Sequence, residues 1–436
     1  MLLLIRGFIY RLIFTAINFL VSLLIAKLAG AGQFGSLSLM IVNAAAFHIL
    51  TGLGTDAAIV WHGLSEKKFN PNKVFSFTIG SAALQLLIFM AVAGLFFYIT
   101  GRSLLSGNKN TDIFFAELIY FTGLVLTDKF ISLYYSQQLA AFCNKLLAVA
   151  SLVLFAVLVA GWLGSLIPVK NNPVWVFSFF VFIPALLLLI YYLVKYHPVP
   201  ARFSRQELKS FLSFSSIVFL TNLVQFVAYR ADYWFIDVLH DKKDVGIYAQ
   251  AARFAQLLWI LPGIAAGLVI PALKNEKQKL SNEEFAGLCR LVFYSHLVFA
   301  VVAVAAAYLI YSFILPQEYF SGFSALLIML PGYIFFTITT MIAAWFSANR
   351  LLKINLSGSF ICCAVILLLD WLLIPSYNYK GAAIANLVSY SITTFFFIFM
   401  ASKSAHAGLK DFFVIRFADF KLFSKKVLLQ QNAAEA

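Results

Sequence analysis

Along the chain, long apolar stretches alternate with short polar breaks. A stretch of about 20 apolar residues matches the hydrocarbon thickness of a bilayer. Twelve such stretches are present, over 5–28, 35–60, 74–100, 113–137, 146–167, 174–194, 211–239, 246–273, 291–315, 322–348, 354–374 and 381–401. The breaks are short even at their longest, in "KYHPVPARFSRQELK" and "KNEKQKLSNEEFAG". This pattern predicts an all-α membrane protein of twelve transmembrane helices, with no extramembrane domain to host separate chemistry. The first stretch is too long for a cleaved leader and no small-residue cleavage site follows it, so it is expected to remain as a helix.

Six stretches lie on either side of the charged segment 196–209. We expect a six-helix bundle over 1–195, a cytoplasmic linker over 196–209, a second six-helix bundle over 210–402 and a cytoplasmic tail over 403–436. Two such bundles around a central cavity are the plan of a transporter built from repeats. The hairpins "LIAKLAGAGQFGSLSLMIVNAAAF" and "FIDVLHDKKDVGIYAQAARFAQLL" support a repeat, since placing Gly35 on Gly246 also places Phe34 on Val245 and Gly52 on Gly263. In the tail, Leu409, Phe412, Phe413, Phe417, Phe420, Phe423 and Val427 recur mostly at three- and four-residue steps, with Lys410, Arg416, Lys425 and Lys426 between them. That spacing predicts an amphipathic helix lying in the inner membrane interface as an anchor.

Composition agrees with the pattern. Hydrophobic residues make up 62% of the chain and charged residues 11%, against roughly a quarter charged in soluble domains. Basic residues concentrate on cytoplasmic loops. With the N-terminus inside, Lys27, Arg102, Lys109, Lys170, Lys242, Lys243 and Lys380 fall outside, Lys129, Arg230 and Arg253 fall within spans, and the other 22 of the 32 fall inside. Both termini are therefore expected in the cytoplasm. The net charge of +14 then reflects topology and attraction to anionic lipid heads, with no call for a nucleic-acid partner. Cys143, Cys289, Cys362 and Cys363 show no metal-ligand spacing with the histidines and read as packing residues.

A charge near the bilayer centre costs about 3 kcal/mol on insertion scales and usually faces the protein interior or a wet cavity. Arg6 and Arg11 lie near the inner end of the first span, where long side chains reach the headgroups. Adjacent Asp128 and Lys129 each need a partner on another helix. Asp232 and Arg253 lie at comparable depth on consecutive antiparallel spans and can pair, which would leave the slightly deeper Arg230 unpaired. Asp237 lies close enough to the outer surface to be solvated.

Several motifs carry a resemblance. In the stretch Asp232 to Arg253 the acidic Asp232 stands thirteen positions before the element "VGIYAQA", Val245 to Ala251, and with "LLLDWLLIPSYNYKGAAIANLVSY", "KLAGAGQFGSLSL" and "LTGLGTDAAIV" such motifs cover most of the chain in the order expected of one family. The sequence resembles the bacterial oligosaccharide flippases of the multidrug/oligosaccharidyl-lipid/polysaccharide exporter superfamily. It departs from them at Tyr233, where family members often have Arg, at Asp370, where they often have Asn, and at Trp61 and His62, where a basic residue is common.

The resemblance implies a monomeric transporter of the bacterial inner membrane that flips a polyprenyl diphosphate-linked oligosaccharide by alternating access. Its implied partners are membrane lipids and polysaccharide-assembly membrane proteins. Such a substrate needs cations for its diphosphate, and Arg253, Arg230, Lys129 and Arg11 are the candidates. Asp232, Asp128 and Asp56 are candidates for ion pairing or for coupling to protons or sodium, and Tyr229, Tyr233, Trp234 and Tyr248 for stacking on sugars. No cofactor or metal is implied. An ion-coupled multidrug exporter of the same superfamily is the first alternative, with Asp56, Asp128 and Asp370 as its acceptors. A peptidoglycan-precursor flippase would carry two more spans. A membrane glycosyltransferase, polymerase or ligase would present its catalytic residues on a large outer loop, and the largest here is "GRSLLSGNKNTD".

Overall fold

The computed structural model describes residues 2–64, 70–164, 172–202, 205–274, 281–405, 409–414 and 416. Its elements are α1 (Leu2–Gly52), α2 (Thr55–Leu64), α3 (Pro71–Thr100), α4 (Thr111–Ser136), α5 (Ala140–Leu163), α6 (Pro173–Tyr196), α7 (Arg205–Leu239), α8 (Lys242–Leu257), α9 (Ile260–Lys274), α10 (Asn282–Phe313), α11 (Phe320–Ala348), α12 (Leu352–Ala405) and α13 (Leu409–Phe413). No strand occurs among the described residues. Among the described residues, eight helical segments are long and apolar enough to cross a membrane. Helices suit this solvent because each satisfies its backbone groups internally.

The ends of the helices show why they start where they do. Asn70 accepts from the Asn72 backbone N at 2.9 Å ahead of Pro71, and Asn110 accepts from the Asp112 N at 2.8 Å. Asp241 does the same for α8, and Ser281 and Glu284 form a reciprocal capping box at α10. Each cap satisfies amide groups that the first helical turn leaves open. The helices α1 and α12 run to 51 and 54 residues. At about 1.5 Å per residue each is more than twice the bilayer core. Each carries one non-helical residue, Gly30 at φ 76° and Asn378 at φ 54°.

The chain forms two compact units, Met1–Phe226 and Val227–Ala436. Sequence places the division in the charged segment 196–209, whereas here it falls inside α7. The reason is that the first half of α7 packs within the first unit. Glu207 pairs with Lys73 at 2.8 Å, and the Phe211 and Phe77 rings lie 4.6 Å apart.

The two units share an internal plan. In the first, α4 packs against α2, α3 and α6, and Gly123 lets it approach so closely that a Cβ there would meet the Phe182 Cα at 2.7 Å. In the second, α11 packs against α8, α9, α10 and α12, and a Cβ on Gly332 would meet the Leu387 Cα at 2.8 Å. The central helices fall on the fourth and tenth apolar stretches, and the helices they touch on the sixth and twelfth. Each unit also interrupts one span. The chain breaks at Leu53 and Gly54 between α1 and α2, and at Leu258 and Trp259 between α8 and α9. Pro262, which has no N–H to return to the Leu258 carbonyl, accounts for the second break.

Lipid exposure inverts the usual burial pattern. On α3, Leu84 and Leu87 are each 60% exposed while Gln85 between them is 1% exposed. The described start of the tail also turns inward. Phe412 is fully buried in the core of the second unit, Phe413 packs on Phe293, the Arg290 guanidinium donates to the Asp411 carbonyl, and the Tyr294 hydroxyl donates to the Phe413 carbonyl at 2.8 Å. The face expected to lie on the membrane is, at Phe412 and Phe413, a docking face on α10. Phe417, Phe420, Phe423, Lys425, Lys426 and Val427 lie outside the described residues.

Gly54 has φ +70°, and a Cβ there would stand 2.5 Å from the Ser215 carbonyl oxygen and 2.9 Å from the Phe219 N. Gly54→Ala is expected to destabilise the first unit by roughly 2–4 kcal/mol through strain and overlap. Thermal unfolding of the purified protein in detergent checks this, and an unchanged midpoint contradicts it.

Candidate functional site

Each unit holds a polar centre built from groups that hydrocarbon alone would exclude. In the first unit the break at Gly54 places Thr55 and Asp56 at the start of α2, facing α4. Lys129, with no exposed surface, extends from α4 to the Thr55 hydroxyl at 2.6 Å and the Asp56 carboxylate at 3.0 Å. The Thr55 hydroxyl in turn donates to the Gly52 carbonyl at 2.6 Å. The ammonium is thus consumed by neighbours, and Lys129 is not open to a diphosphate as its sequence position suggested.

His48, near the end of α1, connects the other carboxylate. Its Nε2 lies 3.1 Å from Asp128 and 3.8 Å from Asp56. Gln85 fixes the tautomer. The Gln85 Nε2 stands 2.9 Å from both the His48 carbonyl oxygen and the His48 Nδ1. A carbonyl only accepts, so the atom facing it is the amide NH2, Nδ1 is an acceptor, and Nε2 carries the proton donated to Asp128. Arg11 is exposed and lies over the Phe14 ring at 5.5 Å. Arg11, His48, Asp56, Asp128, Ser132, Phe219 and Asn222 line a cavity of about 300 Å³ within this unit.

The second centre surrounds Arg230. Its guanidinium donates to the Tyr233 hydroxyl and the Gln256 carbonyl oxygen, both at 3.3 Å, and it lies 5.5 Å from the Tyr233 ring centroid. No acidic side chain among the described residues lies within ion-pair distance of it, although Asp232 is near enough to attract it electrostatically. Asp232, 2% exposed, is held by neutral donors: the Tyr248 hydroxyl, the Asn386 amide at 3.2 Å and the Tyr233 backbone N at 2.9 Å. Asp370 is fully buried near enough to Asp232 for the two charges to interact, and neither of its carboxylate oxygens has a hydrogen-bond partner among the described residues. Arg253, half-buried on α8, interacts electrostatically with Tyr233 and Tyr319.

Of the proposed stacking residues, Tyr233 and Tyr248 are 2% and 1% exposed and pack edge to face on each other at 5.5 Å. They are interior scaffold and present no ring to a sugar. Tyr229 joins a larger aromatic group at the broken span, 5.1 Å from Trp259, which stacks at 4.9 Å on Tyr333; Phe336 and Tyr390 complete it. Trp234 is half-buried on α7. Sequence reasoning passed over His48, Gln85, Gln256 and Trp259. The signal for His48 and Gln85 was a polar side chain within an apolar stretch, and for Trp259 the Pro-Gly pair that follows it.

A family model described as polysaccharide biosynthesis protein matches residues 24–321. The fold is similar to that of the lipid II flippase MurJ in an inward closed conformation, with a TM-score of 0.71 and 14% identity over 98% of this chain and 92% of that one. It is also similar to an inward-facing multidrug resistance MATE family transporter of the MOP superfamily, with a TM-score of 0.65 and 12% identity over 92% of this chain and 98% of that one. The MATE multidrug transporter DinF-BH in complex with R6G gives 0.62 and 15% over 94% and 95%. At these identities the likeness concerns the fold alone. No curated protein sequence matches the chain.

The Lys129 and Asp56 pair yields a direct check on this geometry. Lys129→Met leaves a carboxylate without its counter-charge and is expected to cost roughly 2–4 kcal/mol, at the lower end because Asp56 is 27% exposed. Lys129→Met with Asp56→Leu removes both charges and is expected to recover most of that loss. Thermal unfolding of the single and double variants measures it, and a double variant less stable than the single contradicts the pairing.

Proposed function

The chain belongs to the polysaccharide biosynthesis protein family, and we propose that it moves a polyprenyl diphosphate-linked oligosaccharide from the inner to the outer leaflet of the bacterial inner membrane by alternating access. The observation that carries this reading is Arg230. It is a permanent cation inside an apolar unit, with only a phenol and an amide as described hydrogen-bond partners. A guanidinium so placed is poorly satisfied alone and well suited to an anion, since its planar fork matches phosphate oxygens. The diphosphate is the part of the substrate that hydrocarbon excludes most strongly. Arg253, on the neighbouring helix, adds a second positive charge to the same unit.

Coupling to an ion belongs to the same unit. Asp370, buried with both oxygens unpartnered among the described residues and beside Asp232, is a costly arrangement unless a proton or cation joins it. We assign the coupling step to this pair. The same feature is what an ion-coupled multidrug exporter would use, so the cargo and the coupling are tested separately.

Reconstituted into vesicles with a labelled lipid-linked oligosaccharide, the wild-type protein is expected to transfer label between leaflets without altering its covalent structure. Arg230→Ala is expected to lower the rate at least about tenfold, the loss of a charge-assisted contact, with Arg230→Lys retaining part of it. Wild-type rates in an inserted Arg230→Ala protein contradict the assignment. Asp370→Asn is expected to remove the response of transport to imposed proton and sodium gradients, and an unaltered response contradicts the coupling role.

A further inference from the structure

The cavity of the first unit has a chemistry that differs from the Arg230 centre. Its four formal charges cancel: Arg11 and Lys129 against Asp56 and Asp128, with Lys129 sealed behind Asp56. A dianionic diphosphate would gain one accessible cation there and meet two carboxylates. A neutral polyhydroxylated ligand meets something better. The guanidinium of Arg11, the amide of Asn222 and the hydroxyl of Ser132 donate, the carboxylates of Asp128 and Asp56 accept, and each sugar hydroxyl does both. Ile49, Ile131 and Phe219 supply apolar wall for the C–H face of a ring. About 300 Å³ is the lower end of the range for small-molecule sites, and suits a sugar residue.

One acceptor is held ready. Gln85 fixes the His48 tautomer, and His48 occupies one oxygen of Asp128 at 3.1 Å. The Asp128 side chain lines the cavity and is 44% exposed. A carboxylate oriented before binding loses little freedom when it accepts a hydroxyl. We propose that this cavity, lined by Arg11, His48, Asp56, Asp128, Ser132 and Asn222, binds a neutral sugar residue of the transported glycan and not its diphosphate. The inference rests on the lipid-linked glycan reading above. It makes Asp128 and Arg11 selectivity residues for the sugar, and leaves the diphosphate to the Arg230 centre.

The test uses the full chain in native membranes that produce the lipid-linked glycan. The photoreactive residue benzoyl-phenylalanine replaces Phe219, on the cavity wall, or Phe336, in the aromatic group of the second unit; Ile131 serves if the Phe219 variant fails to insert. After irradiation and purification, mild acid cleaves the sugar–phosphate bond, so the mass of the adduct shows which part of the substrate was touched. The Phe219 adduct is expected to keep sugar and lose polyprenyl diphosphate, and Asp128→Asn is expected to lower its yield about tenfold, as for one charge-assisted hydrogen bond. An adduct at Phe219 that keeps the polyprenyl phosphate and no sugar overturns the proposal, as does a yield that Asp128→Asn leaves unchanged. An adduct at Phe336 alone sinks the sugar cavity but not the substrate reading. Absence of adducts at both positions sinks the two together.

Discussion

A polar group inside hydrocarbon has no water to turn to, and the features of this chain that are not plain apolar helix follow from that constraint. Lys129 has no exposed surface, and it survives there because Asp56 and Thr55 meet its ammonium. That meeting requires α2 to begin where it does, which requires the chain to turn at Gly54, where a larger residue would strike the Ser215 carbonyl. Asp232 is sustained by Tyr248, Asn386 and a backbone amide on the same logic. The helix breaks, the close glycines and the buried charges therefore form one connected set of requirements.

Against that background the exceptions identify themselves. Arg230 makes its hydrogen bonds to neutral groups, and neither oxygen of the Asp370 carboxylate has a hydrogen-bond partner among the described residues. Leaving a charge poorly satisfied inside a membrane protein is costly, and a ligand that arrives and leaves gives that cost a purpose. The first unit shows the opposite condition, with its charges balanced and its tautomer fixed around an open cavity. The two centres thus differ in their chemistry.

Much of the fold was legible because apolar length is a strong signal, and the buried charges were visible against it. Arg230, Asp232, Lys129 and Asp56 stand out in any reading of the spans. Their pairings were not legible. Asp232 and Arg253 sit at matching depth, yet the carboxylate is held by Tyr248 and Asn386, the latter 154 residues away along the chain. Such partners are set by helix packing, and packing depends on glycines such as Gly123 and Gly332 whose role shows only when two helices touch. His48 and Gln85 escaped notice because they carry no formal charge, although one orients the other. The tail misled for a related reason. A periodic aromatic face describes an amphipathic helix equally well whether lipid or protein receives it, and at Phe412 the protein does.

The central claim is that this protein changes the leaflet of a lipid-linked glycan and nothing else about it. The most direct measurement is the leaflet distribution of intact polyprenyl diphosphate-linked oligosaccharide in cells with and without the protein, read with an impermeant glycan-modifying reagent. Accumulation of unmodified, inward-facing lipid-linked glycan in cells lacking the protein is the predicted result. A distribution that does not change when the protein is removed would contradict the account.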